Sequence, residues 1–302
     1  MILVIGSLNI DTVIRVAQFP QSGETIIGKS LLNTHGGKGA NQACAVGKLG
    51  ADIKMLGCVG MDSFGDEQLN QLQAYGVDVS SIKRTKTEPT GNAIICVNDS
   101  GNNNIIVIQG ANKECSVEYL KEHDDDINNC EYVILQMEIP HDAIEYAVKR
   151  AKELNKIVIL NPAPAPEQMS EQIYKYVDYL TPNETELATL TGDPVAKNKN
   201  EIIKSAKKLL AKGVKNVIVT LGDKGALWVN AVDTIMCIAS TVDAVDTTAA
   251  GDCFNGAFVV ALSEGKSIMG AMKFANKAAS ISVTRRGAQI SIPIRTEVDN
   301  CL

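Results

Sequence analysis

Six short runs of aliphatic and β-branched residues recur along this chain, at Ile2–Ile5, Ile53–Val59, Tyr132–Gln136, Ile157–Leu160, Val177–Thr181 and Val217–Leu221. Most are apolar at successive positions instead of alternating, so a strand made from one needs cover on both faces. Between them lie stretches with helical periodicity, such as Asp142–Asn155 and Asn200–Lys212, long enough to carry the chain back for a parallel pairing. Strand, helix, strand in that order predicts an α/β fold with a doubly wound, mostly parallel central sheet flanked by helices. The chain has 302 residues, 45% of them hydrophobic, which suffices for one large domain or two ordinary ones. No internal repeat or linker rich in Pro, Gly or Ser divides it.

Two segments break the rhythm. In Thr12–His35 and Pro89–Ile108, alternating β-prone residues are punctuated by Gly23, Gly28, Gly91 and Gly101, the pattern of antiparallel hairpins. A hairpin does not join a parallel sheet without a crossover. The expectation is therefore a core formed by residues 1–11, 36–88 and 109–302, with residues 12–35 and 89–108 projecting as a small antiparallel β lid. Gly251–Thr284 reads as two helices turned at Gly265-Lys266-Ser267.

Composition removes several classes of function. Basic residues number 29 against 35 acidic, a net charge of -6, so no broad basic footprint for nucleic acid exists. Aromatic residues, at 4%, are too sparse for a base-stacking platform. The eight cysteines include no Cys-x-x-Cys spacing and are expected as reduced, mostly buried thiols. Asp11 interrupts the first apolar stretch before a secretory segment is complete, and no apolar run reaches the ~18 residues of a membrane span. The expectation is a cytoplasmic protein with no membrane partner, whose matches to the glycosylation pattern at Asn98 and Asn183 go unused. The run Asp124-Asp125-Asp126 is read as a solvated helix end.

The string Gly23-Glu-Thr-Ile-Ile-Gly28-Lys29-Ser30 matches the P-loop pattern literally. It is rejected, because a P-loop follows a buried strand and opens a helix, whereas this one follows a turn and carries β-branched residues. A dinucleotide fingerprint is missing too, since Gly6 has no second glycine at the required offset. Polar residues do collect after the first strand: Asn9 and Asp11 share one side of an extended chain and suit sugar hydroxyls, although local turns explain them as well. Gly36-Gly37-Lys38-Gly39-Ala40-Asn41 is a glycine-rich turn entering a helix, where backbone can approach a ligand and Lys38 and Asn41 share a face. The strongest signal is Asp246-Thr-Thr-Ala249-Ala250-Gly251-Asp252. The amides of Ala249, Ala250 and Gly251 at a helix start can hold an anion, and Asp252 beside them can accept a proton from an attacking hydroxyl. A helix N-cap accounts for Asp252 equally well on its own.

DTTAAGDCFNGAF and GGKGANQA resemble the C-terminal and N-terminal signatures of the ribokinase-like carbohydrate kinases. The resemblance continues in order through SLNID (Ser7–Asp11), LQMEIP (Leu135–Pro140), NPAPA (Asn161–Ala165), TPNETE (Thr181–Glu186), TLGDKG (Thr220–Gly225) and RRGAQISIP (Arg285–Pro293), over essentially the whole chain. It implies an enzyme that phosphorylates the 5-hydroxyl of D-ribose with ATP and Mg2+. Asp252 would be the general base and the loop Ala249, Ala250 and Gly251 the anion hole. Asn9, Asp11, Gly37, Lys38, Asn41 and Glu138, with Asp252, would hold the sugar. Asn183, Glu186, Thr220, Gly222, Gly225, Gly251 and Asn276 would line the nucleotide site, Asn183 and Glu186 also supporting phosphates and Mg2+. Asp246, Thr248, Ser282, Arg285, Gly287 and Ser291 would form a K+ site, several through main-chain carbonyls. The lid would close over the sugar and pair two subunits into a homodimer. Another sugar or nucleoside substrate on the same scaffold, or a catalytically silent sugar-binding regulator, remains open on sequence grounds.

Overall fold

The computed structural model describes residues 1–167 and 169–301. Its strands are β1 (Ile2–Ile5), β2 (Asn9–Arg15), β3 (Ser30–Gly36), β4 (Ile53–Leu56), β5 (Cys58–Gly60), β6 (Lys83–Thr85), β7 (Gly91–Val97), β8 (Asn103–Ile108), β9 (Tyr132–Leu135), β10 (Ile157–Leu160), β11 (Tyr179–Leu180), β12 (Asn216–Thr220), β13 (Ala226–Val229) and β14 (Thr234–Cys237). Its α-helices are α1 (Lys38–Lys48), α2 (Ser63–Ala74), α3 (Val117–Glu122), α4 (Asp124–Asn129), α5 (His141–Glu153), α6 (Glu184–Thr191), α7 (Lys199–Ala211), α8 (Ala250–Ser263), α9 (Ile268–Ser282) and α10 (Arg295–Asp299).

Eight strands form one sheet in the order β14-β13-β12-β11-β10-β9-β1-β4. Every pairing from β12 to β4 is parallel. The pleat sends successive side chains to opposite faces, and the core divides accordingly. Ile2, Val4, Met55 and Ile134 pack with α1, α8 and α9 on one face, while Leu3, Ile5, Val133 and Leu135 pack with α5 and α7 on the other. Burial on both faces is why these strands read as continuous apolar runs, and it confirms the doubly wound expectation.

Two details differ from the sequence reading. The run Ile53–Val59 divides at Gly57, where a Cβ would meet Leu8 at 2.5 Å and the Gly6 carbonyl oxygen at 2.7 Å. Its continuation, β5, pairs with β6 in a separate ribbon. An antiparallel hairpin, β13–β14, also extends the sheet beyond β12; the sequence reading assigned no strand there, although Ala226–Val229 is buried throughout.

The two glycine-punctuated segments form a second sheet in the order β3-β2-β7-β8. Each hairpin is antiparallel, and the two join through a parallel pairing of β2 with β7, beginning at Asn9 opposite Gly91. The P-loop-like string lies in the exposed connection from β2 to β3, with Ser30 opening a strand and not a helix.

Candidate active site

The sequence around Ala249 opens α8 without a side-chain cap. Ala249 is the N-cap and takes a left-handed conformation, φ 59° and ψ 12°. Ala250 donates its N–H to the Thr247 carbonyl at 3.2 Å, while those of Ala249 and Gly251 have no acceptor among the described residues. Unsatisfied N–H groups at the positive end of a helix dipole favour an anion. They border a cavity of about 220 Å3 that also receives Lys38, Asn183, Glu186 and Asp252.

Asp252 sits in the first turn of α8, 6% exposed. Its helix lies close to α1 because Gly256 has no side chain: a Cβ there would stand 2.6 Å from that of Ala45 and 2.8 Å from the Gln42 carbonyl oxygen. The approach brings two amides to the carboxylate. Asn41 donates Nδ2–H to Oδ2 at 3.0 Å, and Gln42 donates Nε2–H to Oδ1 at 2.9 Å. Burial raises the Asp252 pKa above the usual carboxylate range, against the pull of Lys38 and of these two hydrogen bonds.

The glycine-rich turn brings the remaining polar groups to the same place. Gly37 has φ 87°, and a Cβ there would stand 2.7 Å from the Asn9 nitrogen, so the backbone turns tightly against β2. The Lys38 N–H and the Ser7 hydroxyl both donate to Glu138 Oε2, at 3.0 and 2.5 Å. Asp11, half-buried against Gly36, has its pKa pushed up to about 7 by burial and by the charges of Glu138 and Asp252, with Lys38 opposing. Burial works against the charge of Lys38, yet Asp252, Glu138, Glu186 and Asp11 together raise its pKa. The result is four carboxyl groups around one ammonium.

The opposite side of the α8 start opens on a cavity of about 320 Å3 bordered by Asn183, Thr220, Gly222, Gly225, Gly251 and Asn276, with apolar walls from Phe254 and Ala279. Asn183 caps α6 through a reciprocal box: its Oδ1 accepts from Glu186 N at 2.8 Å, and Glu186 Oε2 accepts from Asn183 N at 2.8 Å. Burial raises the pKa of Glu186. Gly225, at φ 98°, leaves no room for a side chain, since a Cβ would meet the Cys237 carbonyl oxygen at 2.1 Å. Asn276 ties α9 to β14 by donating to that carbonyl at 3.0 Å.

A third cavity, of about 590 Å3, lies between the four-stranded sheet and the loop before α8, lined by Asp11, Thr34, Asp246, Thr247 and Gly287 among others. Asp246 accepts from the Thr248 N–H and hydroxyl and from Gly287 N at 2.9, 2.6 and 2.9 Å, which pins this loop to the segment after α9. Arg285 points its guanidinium at Glu297 instead. Ser282 and Ser291 are buried and donate to Ala279 O and Ala288 O.

Residues 1–295 match the family model for pfkB family carbohydrate kinases. The ribokinase of Haemophilus influenzae is 41% identical over 294 residues, covering 97% of this chain and 95% of that one. A deoxyribokinase of Salmonella typhimurium is 38% identical over 292 residues, with the same coverage of 97% and 95%. The solved structure of Arabidopsis thaliana ribokinase complexed with ribose and ATP aligns at a TM-score of 0.93 and 34% identity, over 99% of this chain and 97% of that one. The chain belongs to the pfkB family of carbohydrate kinases.

In this pfkB kinase, Lys38, Asn183, Glu186, Thr220, Gly251 and Asp252 border one cavity at the start of α8 and Gly222, Gly225 and Asn276 the adjoining one; Asn41 and Glu138 join them through Asp252 and the Lys38 N–H, Asp11 lines the cavity under the four-stranded sheet, and Asn9 and Gly37 line none of the three. Those expected at the cation site lie on two segments, the loop before α8 and the end of α9 with the stretch that follows it, joined by the Gly287 N–H to Asp246, while the Arg285 side chain pairs with Glu297. Sequence reading missed the amides that organise the cleft. Asn112 takes Leu8 N on its Oδ1 at 2.9 Å and donates to Asn9 Oδ1 at 2.7 Å, leaving Asn9 to present its own NH2. Gln42, Gln136 and Asn161 form a buried chain behind Asp252. Gln42 adjoins Asn41 in the glycine-rich motif, and that adjacency was the one available signal. The acidic run is not purely solvated: Asp126 bonds Lys54 and Ser81 at 2.7 and 2.8 Å, and Asp124 pairs with Arg150. All eight cysteines are unpaired.

Proposed function

We propose that this protein transfers the γ-phosphoryl group of ATP to the 5-hydroxyl of D-ribose, giving ribose 5-phosphate and ADP. One observation carries the reading: a buried carboxylate, Asp252, lies next to unsatisfied helix-start amides, with a polyhydroxyl-suited pocket on one side and an apolar-walled cavity on the other. The named relatives, ribokinases among them, support the substrate assignment.

Asp252 accepts the hydroxyl proton as the oxygen attacks, and its burial-raised pKa makes it a better acceptor than an exposed aspartate. The N–H groups of Ala249 and Gly251, unpaired among the described residues and on either side of Ala250, whose own N–H goes to Thr247, neutralise charge on the transferring group, which in phosphoryl transfer supplies much of the catalysis. Asn9, Asp11, Gly37, Lys38, Asn41 and Glu138 hold the sugar hydroxyls. Asn183, Thr220, Gly222, Gly225 and Asn276 border the nucleotide. Glu186 spends one oxygen on its capping box and keeps the other for a hydrated Mg2+, which when bound neutralises phosphate charge. Asp246 and main-chain carbonyls of the Thr248 and 282–291 segments would supply the oxygen ligands of a K+ site. Residues 12–35 and 89–108 act as the lid. Leu31, Leu32 and Ile105–Ile108 are exposed on it, and we assign this surface to a homodimer contact. Unpaired thiols fit a reducing compartment, and we assign the enzyme to the cytoplasm; among the described residues no helix is long and apolar enough to cross a membrane.

The test is ATP consumption by the parent and Asp252→Asn with ribose, 2-deoxyribose, fructose and adenosine. Ribose is expected as the best substrate, and the variant should lose at least ~100-fold in turnover. Deoxyribose matching ribose would overturn the sugar assignment, and equal rates in parent and variant would remove Asp252 from the chemistry.

A further inference from the structure

We propose that Gln42, oriented by Gln136 and Asn161, is a positioning residue for the phosphoryl-transfer base, supplying one of the two hydrogen bonds that keep the Asp252 carboxylate aimed and ionised. The inference rests on Asp252 being the base.

The orientation of the Gln42 amide follows from its neighbours. Asn161 donates Nδ2–H to the Thr181 carbonyl at 3.0 Å, so its Oδ1 faces Gln42. That oxygen and Asp252 Oδ1 are both acceptors, at 3.2 and 2.9 Å from Gln42 Nε2. Gln136 donates Nε2–H to Gln42 Oε1 at 2.8 Å. Three contacts therefore select one orientation, and a flipped Gln42 would set oxygen against oxygen at two of them. Gln42 and Gln136 are both 0% exposed. Gln136 Oε1 has no partner among the described residues and lies where a Cβ on Gly6 would come within 2.0 Å of it. Leaving a buried oxygen unpaired works against stability, so the gain lies in holding the next amide in line.

The relay also closes on the anion-binding turn. Thr181 donates its hydroxyl to Asn255 Oδ1 at 2.6 Å, and Asn255 donates to the Gly251 carbonyl at 2.8 Å. Base and helix start are thus fixed to one network through α1, α8 and the ends of β10 and β11.

The charged groups around Asp252 are Lys38 on α1, Asp11 on β2, Glu138 after β9 and Glu186 on α6. They act through space, whereas Asn41 and Gln42 bond it directly. Gln42→Met keeps the length of the side chain and removes its donor. The ionised base loses stabilisation, so its proton is held to higher pH.

The experiment measures kcat/KM for ribose against pH in the full-length enzyme, together with KM for ATP. In Gln42→Met the acid limb is expected to move up by about one unit, with KM for ATP within twofold of the parent. Gln136→Met should move the limb the same way by about half as much, and it serves as the deciding variant where Gln42→Met does not accumulate folded. A uniform loss of rate with the acid limb in place in the folded variants would overturn the proposal and leave Gln42 a packing residue. That outcome differs from failure of the base itself, which is read from full activity in Asp252→Asn.

Discussion

Four carboxyl groups around Lys38 make this site a source of instability, and Asp11 gives the sharpest measure of it. No donor among the described residues bonds its carboxylate, and burial with the nearby charges of Glu138 and Asp252 lifts its pKa from 3.8 to about 7. An acid whose folded pKa lies above its unfolded one binds more protons when folded, so stability falls as pH rises between the two values and stays low above the upper one. The full shift corresponds to at most about 4 kcal/mol. Solvent still reaches this half-buried group, and allowing for that screening leaves about 2 kcal/mol. Asp11→Asn removes the charge while keeping the shape. At pH 8.5 the variant should therefore be the more stable protein by about 2 kcal/mol, or about 3 °C in Tm for a chain of this length. At pH 4.5, on the acid side of the pI of 5.2, the gap should shrink to about 1 kcal/mol, half of that. Calorimetric melts of both proteins without ligand at the two pH values provide the assay. A parent at least as stable as the variant at pH 8.5, or a gap independent of pH, would refute the electrostatic reasoning. The same variant should bind ribose more weakly, since the charge that strains the fold is the one proposed to meet a hydroxyl.

Two further substitutions probe the backbone of the cleft. Ala249→Val places a β-branched residue at φ 59°, where even alanine is strained; steady-state kinetics should find kcat at least ~10-fold lower, with Ala249→Gly within twofold of the parent. Gly225→Ala drives a Cβ to 2.1 Å from the Cys237 carbonyl oxygen at φ 98°, and is expected to cost about 2–3 kcal/mol and to raise KM for ATP, checked by melting and by nucleotide titration.

The fold was legible where local pattern and tertiary role coincide. β1, β9, β10 and β12 lie in the sheet interior, so burial on both faces writes itself into sequence as an unbroken apolar run. The turn Gly265-Lys266-Ser267 between α8 and α9 was legible because Gly265 takes φ 76° and Ser267 caps α9 through Gly270 N. The hairpin β13–β14 escaped because its antiparallel pairing sits at the edge of a parallel sheet, where no helical crossover announces the next strand. The parallel junction of β2 with β7 was equally hidden: each hairpin is local, but their pairing depends on both leaving the core together, beside Asn112.

The site divides along the same physical line. Ligand-facing residues lie in turns where glycine, lysine and acidic groups have few competing explanations, and Asn9, Lys38 and Asp252 can be picked out from the motifs they occupy. Gln42, Gln136 and Asn161 lie in a helix, just past one strand and just past another, positions where an amide reads as an ordinary polar residue. Their contribution is an orientation, set by which atom of each amide meets which neighbour, and that depends on contacts up to 210 residues apart in the chain. Local pattern has no access to such contacts. A carboxylate recognised as a proton acceptor from its motif therefore still lacks the buried amide chain that orients it, and in this protein the member of that chain that bonds the carboxylate comes from a different helix.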